Sequence, residues 1–108
     1  MEIREYLDAE GDSPFAEWID GLNAPAAARV TVSLVRIEHG NFSNVKSVGE
    51  GISECKIDFG PGYRVYFGRE GETIVIVLGG GTKKRQSKDI QTAKQRWKDY
   101  KRRKALEE

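Results

Sequence analysis

Five cationic side chains in the second half of the chain could bind a phosphodiester. Lys56 and Arg64 stand in predicted strands, and the run Lys83-Lys84-Arg85 follows the last predicted strand. In a small antiparallel sheet these side chains could converge near one end. Such a group can bind a phosphodiester and stabilise the charge that develops on it during cleavage. The residues alone leave two alternatives open, which are nucleic-acid binding and a solvated basic face.

Further candidate RNA contacts are one aromatic residue and the basic C-terminal segment. Tyr66 is predicted to share a strand face with Arg64, where its ring could stack on an unpaired base. Arg85, Lys88 and Lys94 are the candidate contacts in the C-terminal segment. These four residues are the candidate RNA contacts beside the cationic group.

The net charge of +1 conceals a strong asymmetry along the chain. Residues 1–81 carry 7 Lys or Arg against 13 Asp or Glu, a net of −6, whereas residues 82–108 carry 11 against 4, a net of +7. A segregated basic end indicates a polyanion or an acidic protein as partner. The alternative is a basic helix that is simply solvated.

Several kinds of site are excluded by the composition. The chain has one histidine and one cysteine, too few for a cysteine and histidine zinc site or an internal disulfide. His39 lies at a predicted helix end and Cys55 on a predicted apolar strand face, so we interpret both as structural. The lone histidine also gives no Ser-His-Asp triad. We expect no metal and no cofactor.

Length and hydropathy predict the domain organisation and the location. At 108 residues with 38% hydrophobic and 32% charged residues, the chain suits a single domain over residues 1–108. No apolar run approaches the length of a membrane span. The first residues lack the basic-then-apolar pattern of a secretory signal. These features predict a cytoplasmic protein.

Three antiparallel strands are predicted to position the cationic residues. They cover residues 52–59, 63–67 and 73–78, which are rich in Val, Ile, Tyr and Phe and are separated by glycine-containing turns. A three-residue loop over residues 60–62 would pair Phe59 with Tyr63 and Ile57 with Val65, which keeps apolar side chains together. The opposite face is then polar, is predicted to face outward, and carries Glu54, Lys56, Asp58, Arg64 and Tyr66.

Helices are predicted before and after these strands. A weak strand over residues 1–7 precedes a helix that begins at Ser13-Pro14 and a second helix over about residues 25–39, ended by Gly40. These two form a hairpin that can cover the apolar face. Residues 41–51 are predicted as a loop and residues 79–81 as a flexible exit from the sheet. Ser87 is predicted to cap a basic C-terminal helix over about residues 88–104. The predicted class is α+β.

Several motifs together resemble a family of small toxins. The run Gly60-Pro-Gly-Tyr-Arg-Val-Tyr-Phe67 precedes an apolar strand, two glycines, a lysine-rich segment with Gln86, and Asp89-Ile90. With Ser13-Pro-Phe-x-x-Trp18 and residues 40–51, this resembles the RelE/ParE superfamily of toxin–antitoxin toxins, and within it the HigB-like addiction module killer proteins. The resemblance extends from Met1 to about Lys101. It implies a RelE-like fold and a cognate antitoxin, often of the helix-turn-helix type.

The resemblance also implies an activity. Many relatives are mRNA endonucleases that cleave translated mRNA on the ribosome without a metal, by attack of a ribose 2′-hydroxyl on the adjacent phosphate. Carried over by position, Arg64 would contact the scissile phosphate, and Lys83, Lys84 and Lys56 would supply further catalytic cations. The superfamily also includes DNA gyrase inhibitors. A gyrase inhibitor and a non-catalytic binding module with a basic tail therefore remain as alternatives.

Overall fold

The computed structural model describes residues 1–107, and over these residues five strands form one mixed sheet. The strand order is β1-β5-β4-β3-β2, with β1 parallel to β5 and every other pair antiparallel. The elements in chain order are β1 Glu2–Glu5, α1 Pro14–Asp20, α2 Ala24–Glu38, β2 Val45–Gly49, β3 Ile52–Ile57, β4 Tyr63–Glu70, β5 Ile74–Thr82, a 3₁₀ turn Lys83–Arg85 and α3 Gln86–Glu107. The predicted α+β class is confirmed, and the architecture is compatible with a RelE-like fold.

Local signals set the ends of the N-terminal helices. The Ser13 hydroxyl accepts a hydrogen bond from the Ala16 N–H (3.1 Å) at the start of α1, as predicted. Gly40 has a φ of +84°. Its N–H donates to Ile37 O and the next N–H to Arg36 O, which is the Schellman pattern. The predicted end of the second helix at Gly40 is therefore confirmed.

Helices cover both faces of the sheet, which corrects one prediction. The N-terminal helices cover the face predicted to be apolar, with Val65 and Phe67 at its centre. Helix α3 covers the opposite face through Ala93 and Trp97, which pack in one cluster with Tyr66. The face predicted to be polar and outward is therefore largely buried. The apolar residues that α3 covers there come from three strands and include Ile52, Tyr66, Ile76 and Leu78.

The first hairpin has the predicted faces but not the predicted loop. Ile57 pairs with Tyr63 and Lys56 with Arg64, so five residues, 58–62, connect the strands instead of three. Both lengths are odd and keep the same faces. The longer loop forms because the Phe59 backbone bonds within the loop: its N–H donates to Ile57 O (3.0 Å), and its carbonyl accepts from the Gly62 N–H (2.9 Å). The predicted pairings of Phe59 with Tyr63 and of Ile57 with Val65 are wrong, because Tyr63 pairs with Ile57 and Val65 pairs with Cys55.

Two further segments differ from their predictions. Part of the predicted loop 41–51 forms β2, an edge strand whose only partner among the described residues is β3; its run Val-Lys-Ser-Val-Gly is too polar to signal a strand. The predicted flexible exit at residues 79–81 is the last part of β5. A side chain on Gly79 would overlap Arg96, and one on Gly80 would overlap the Trp18 ring. These glycines let two large side chains lie against the strand.

Helix α3 is longer than predicted and is attached to the end of β1. It starts at Gln86, so the predicted capping role of Ser87 is wrong, but the predicted apolar stripe is confirmed because Ala93 and Trp97 are buried. The Tyr6 hydroxyl donates to Asp99 Oδ2 (2.7 Å), and Arg103 Nε donates to the same oxygen (2.9 Å). These bonds connect the basic helix to the sheet.

We expect this attachment to be lost in acid. Hydrogen bonds from Tyr6 and then Arg103 lower the pKa of Asp99 from 3.8 to about 2. A carboxylate whose pKa is lowered on folding stabilises the fold fully above its unfolded pKa, so the contribution should disappear as the pH falls from about 4 to 2. Allowing for partial exposure, Asp99→Asn should cost roughly 1 to 2 kcal/mol at pH 7. Thermal melting between pH 7 and pH 3 checks this.

The control for this measurement is Glu107→Gln, an equal charge change at an exposed position of the same helix. The difference in melting temperature between wild type and Asp99→Asn should shrink toward pH 3, whereas Glu107→Gln should follow the wild type. A difference that is constant with pH would show that the charge of Asp99 contributes nothing to the attachment.

Candidate functional site

Arg64, the central residue of the predicted site, lies buried in β4. Only 6% of the residue is exposed. Its Nε lies 3.6 Å from Glu54 Oε1 and has no hydrogen-bond partner, while Nη1 donates a long bond of 3.4 Å to Tyr63 O. The prediction that this side chain faces outward is wrong. A buried guanidinium requires an anion beside it, and Glu54 from the neighbouring strand supplies one.

Glu54 is the anion at the centre of this buried cluster. It is 1% exposed and accepts a hydrogen bond from Gln86 Nε2 (2.8 Å), while Lys46 Nζ lies 3.8 Å away. Gln86 is the first residue of α3, so the start of this helix closes over the Arg64–Glu54 pair. The strand alternation placed Glu54 on the face of Arg64 but did not indicate that the two side chains would pair.

Tyr66 lies in the same cluster and is covered by α3. The residue is 1% exposed, and its hydroxyl has no hydrogen-bond partner among the described residues. Burial raises the pKa of this hydroxyl, and the nearby carboxylates of Glu54 and Asp89 raise it further. Its ring is therefore not available for stacking on a base in this arrangement.

The lysine-rich turn remains exposed and adjoins the first hairpin. Residues 83–85 form the 3₁₀ turn, with all three side chains exposed. The Lys83 N–H donates to Gly62 O (3.0 Å), and Thr82 pairs with Tyr63. Lys56 is also exposed, pairs with Arg64 in the register, and has its Nζ 3.5 Å from Asp58 Oδ1. These contacts bring the predicted catalytic cations to one end of the sheet.

The predicted RNA contacts separate into two regions. Arg85 is the last residue of the lysine-rich turn, and Lys88 follows it in the first turn of α3. Lys94 instead has its Nζ 3.4 Å from Glu50 Oε2, in the β2–β3 turn at the opposite end of β3 from the first hairpin. The structure does not bring Lys94 to the other cations, because the helix carries it along the sheet.

A groove that the sequence did not signal opens beside this end of the sheet. It has a volume of about 210 Å³ and lies between α1, β5 and α3. Trp18, Gly79 and Gly80 line it together with Asp89 and Arg96. Asp89 Oδ2 is buried without a hydrogen-bond partner, and burial raises the pKa of this carboxyl despite the nearby Arg85 and Arg96.

The remaining candidates for chemistry lie elsewhere in the fold. Cys55 is 3% exposed on the face covered by the N-terminal helices, where burial raises the pKa of its thiol to about 11. This confirms its prediction as a core residue. His39 lies exposed at the end of α2, with Nδ1 2.9 Å from Val35 O. Across residues 1–107, no group of three or more His, Cys, Asp or Glu side chains could hold a metal ion.

Within the described part of the chain, no helix is both long enough and apolar enough to cross a bilayer.

Comparisons with known proteins give the family. The family model described as phage derived protein Gp49-like (DUF891) matches residues 17–98. An uncharacterized protein of Haemophilus influenzae is 44% identical over 81 residues, which cover 74% of this chain and 82% of that protein. The matched residues include β2 to β5, the lysine-rich turn and the groove residues of α3. The chain therefore belongs to the Gp49-like family of phage-derived proteins.

Proposed function

We propose that this protein is the toxin of a type II toxin–antitoxin system and that it cleaves mRNA without a metal. The Gp49-like family is associated with toxin-like and addiction-module-like proteins, which supports the class. The observation that carries the proposal is the exposed turn Lys83–Arg85, held against the first hairpin at the end of β4 that contains Arg64. The HigB-like resemblance of the Gly60–Phe67 run supports the same activity.

The cleavage we propose is an attack by a ribose 2′-hydroxyl on the adjacent phosphate. The bond between the 2′-oxygen and phosphorus forms and the bond from phosphorus to the 5′-oxygen breaks, which leaves a cyclic phosphate and a free 5′-hydroxyl. A water molecule takes the proton from the 2′-hydroxyl, and another water molecule gives one to the 5′-oxygen, so the step balances. Lys83 and Lys84 stabilise the negative charge that builds up on the phosphate oxygens, and Lys56 holds the backbone on the other side of the hairpin.

Arg64 joins this site by exchanging one anion for another. In the structure its partner is Glu54, which Gln86 also holds. A phosphodiester offers the guanidinium two oxygens in a fork geometry, whereas Nε lies 3.6 Å from the carboxylate oxygen. We infer that RNA binding shifts the first turn of α3 and breaks the hydrogen bond between Gln86 and Glu54. Arg64 then leaves Glu54 and binds the phosphate.

The burial of Arg64 favours a second candidate, a binding module without catalysis. In that case the Arg64–Glu54 pair stabilises the fold, and the exposed cations only attract an acidic partner. The two candidates share the antitoxin as a partner. We propose that its acidic segment lies on the basic surface of residues 83–104, with the complementary charge guiding the association.

Mapping RNA 5′ ends after controlled expression tests the proposed function. The protein should stop growth and create new 5′ ends within translated messages. Expression together with the neighbouring gene should suppress both effects if that gene encodes the antitoxin. Growth arrest without new 5′ ends would overturn the endonuclease activity, and unaffected growth would favour the binding module.

A further inference from the structure

The groove between α1, β5 and α3 is small. Gly79 and Gly80 of β5 line it, and the Arg96 and Trp18 side chains lie close over these two glycines. Trp18 bounds it on the α1 side, and Arg96 bounds it on the α3 side. Its volume of about 210 Å³ is below that of a pocket for a drug-sized ligand. A ligand of this groove is therefore small.

The polar groups of this groove are incompletely satisfied. Asp89 Oδ2 and the Tyr66 hydroxyl are buried without hydrogen-bond partners, and both residues line the groove. Tyr66 is 1% exposed, so its unpaired hydroxyl is costly where it stands. The Asp89 carboxylate lies against the Gly81 backbone and lines the groove.

Arg96 supplies donors opposite this acceptor. Its Nη1 donates to Leu78 O (2.9 Å), which holds the guanidinium beside the strand. The Nε and Nη2 atoms take no part in this hydrogen bond. The groove therefore presents a carboxylate acceptor and a guanidinium donor to the same small volume. A ligand that matches both must carry donors on one edge and acceptors on another.

We propose that this groove binds a guanine base of single-stranded RNA. Guanine carries the N1 and N2 donors that a carboxylate accepts from, and the O6 and N7 acceptors that pair with arginine. Adenine lacks the first set and has a donor in place of O6. Arg85, the last residue of the lysine-rich turn, also lines the groove, so a base held here would continue into a backbone held by Lys83 and Lys84. The inference rests on the proposed function.

Binding of uncleavable RNA tests the proposal separately from cleavage. Short oligonucleotides with 2′-O-methyl ribose throughout cannot attack their own phosphates, so the measurement reports binding alone. An oligonucleotide with one guanosine should bind about 5- to 150-fold more tightly than the same sequence with adenosine, the range for one bidentate pair. Inosine, which lacks the N2 amine, should fall between them. Guanosine monophosphate is measured alongside as the free-nucleotide source of the same base.

The Asp89→Asn variant separates a specific contact from general electrostatics. Loss of a negative charge should leave binding of the adenosine oligonucleotide unchanged or tighter, because RNA is an anion. The guanosine preference should weaken, because only the Arg96 contact to O6 and N7 remains. The matched control is Glu107→Gln, which removes the same charge from the exposed end of α3 and should keep the preference. Thermal melting of both variants confirms that they are folded.

Each other outcome overturns the inference. Equal binding of guanosine and adenosine oligonucleotides removes the guanine site, while the mapped 5′ ends still decide whether the protein is an endonuclease. A preference that is undiminished in Asp89→Asn removes the carboxylate contact. A preference for free guanosine monophosphate without one for RNA shows a nucleotide site and contradicts the RNA ligand. If no oligonucleotide binds, the RNA site is wrong.

Discussion

Replacing Arg64 with alanine should abolish toxicity and lower the free energy of unfolding by about 3 to 5 kcal/mol. The loss of stability follows because the substitution leaves Glu54, which is 1% exposed, without its buried cationic neighbour. The remaining partners are the neutral Gln86 and the Lys46 ammonium at 3.8 Å. The loss of toxicity follows because the phosphate loses its fork-shaped donor. Growth inhibition and thermal melting measure the two effects.

Arg64→Lys and Lys56→Ala are the companions that make this result interpretable. Lysine keeps a charge beside Glu54 but cannot form the two-bond contact, so Arg64→Lys should recover much of the stability and only part of the toxicity. Lys56 pairs with Arg64 in the register but is exposed. Its substitution by alanine should therefore cost less than about 1 kcal/mol in stability.

The measurements can contradict either role of Arg64. An Arg64→Ala protein that melts with the wild type would show that the Glu54 pair does not stabilise the fold. A folded variant that still stops growth would remove Arg64 from the site. If the Arg64→Lys protein keeps full stability but has no toxicity, the fork geometry of arginine is essential for the activity.

Replacing Lys83 or Lys84 with alanine should reduce RNA cleavage by a factor of about 100 to 1000 while leaving stability within about 0.5 kcal/mol of wild type. Both side chains are exposed on the 3₁₀ turn. The contact that holds the turn in place runs from the Lys83 backbone N–H to Gly62 O, which a side-chain change does not remove. The abundance of new RNA 5′ ends, followed over time after induction, measures the effect.

Lys98→Ala is the matched control for these substitutions. Lys98 is an exposed lysine on α3, so the variant loses the same charge from the same basic segment. It should reduce cleavage only slightly, through weaker general attraction of RNA. An equal loss in all three variants would mean that the turn contributes net charge and no positioned catalytic group.

The Arg64–Glu54 pair and Gln86 connect the sheet to the start of the basic helix. Residues from two strands and from the first position of α3 meet in this cluster. An anion that takes the place of Glu54 would also loosen the start of α3. A movement of the first turn of α3 would uncover Tyr66 and open the adjacent groove. Under the proposed function, RNA binding would therefore be coupled to the position of this helix.

The helix caps and the strand faces could be predicted from the sequence, because each depends on residues that are close together in the chain. The caps at Ser13 and Gly40 follow from side-chain and backbone geometry within one turn. The two faces of β3 and β4 follow from period-two alternation, and any odd loop preserves them. For the same reason the alternation could not choose between loops of three and five residues. That choice depended on hydrogen bonds that the Phe59 backbone makes within the loop, to Ile57 O and from the Gly62 N–H.

The sequence by itself determined the strand faces, the helix limits near Ser13 and Gly40, and the position of the cations near one end of the sheet. Only the tertiary structure decided that α3 covers the face carrying Arg64, since a charged residue on a strand reads as exposed until its partner is known. Its partner is Glu54 of the neighbouring strand, and Gln86 at the start of α3 holds Glu54 in place. The groove likewise required Trp18, Gly80 and Asp89 to meet, and their contacts depend on packing that no local pattern encodes.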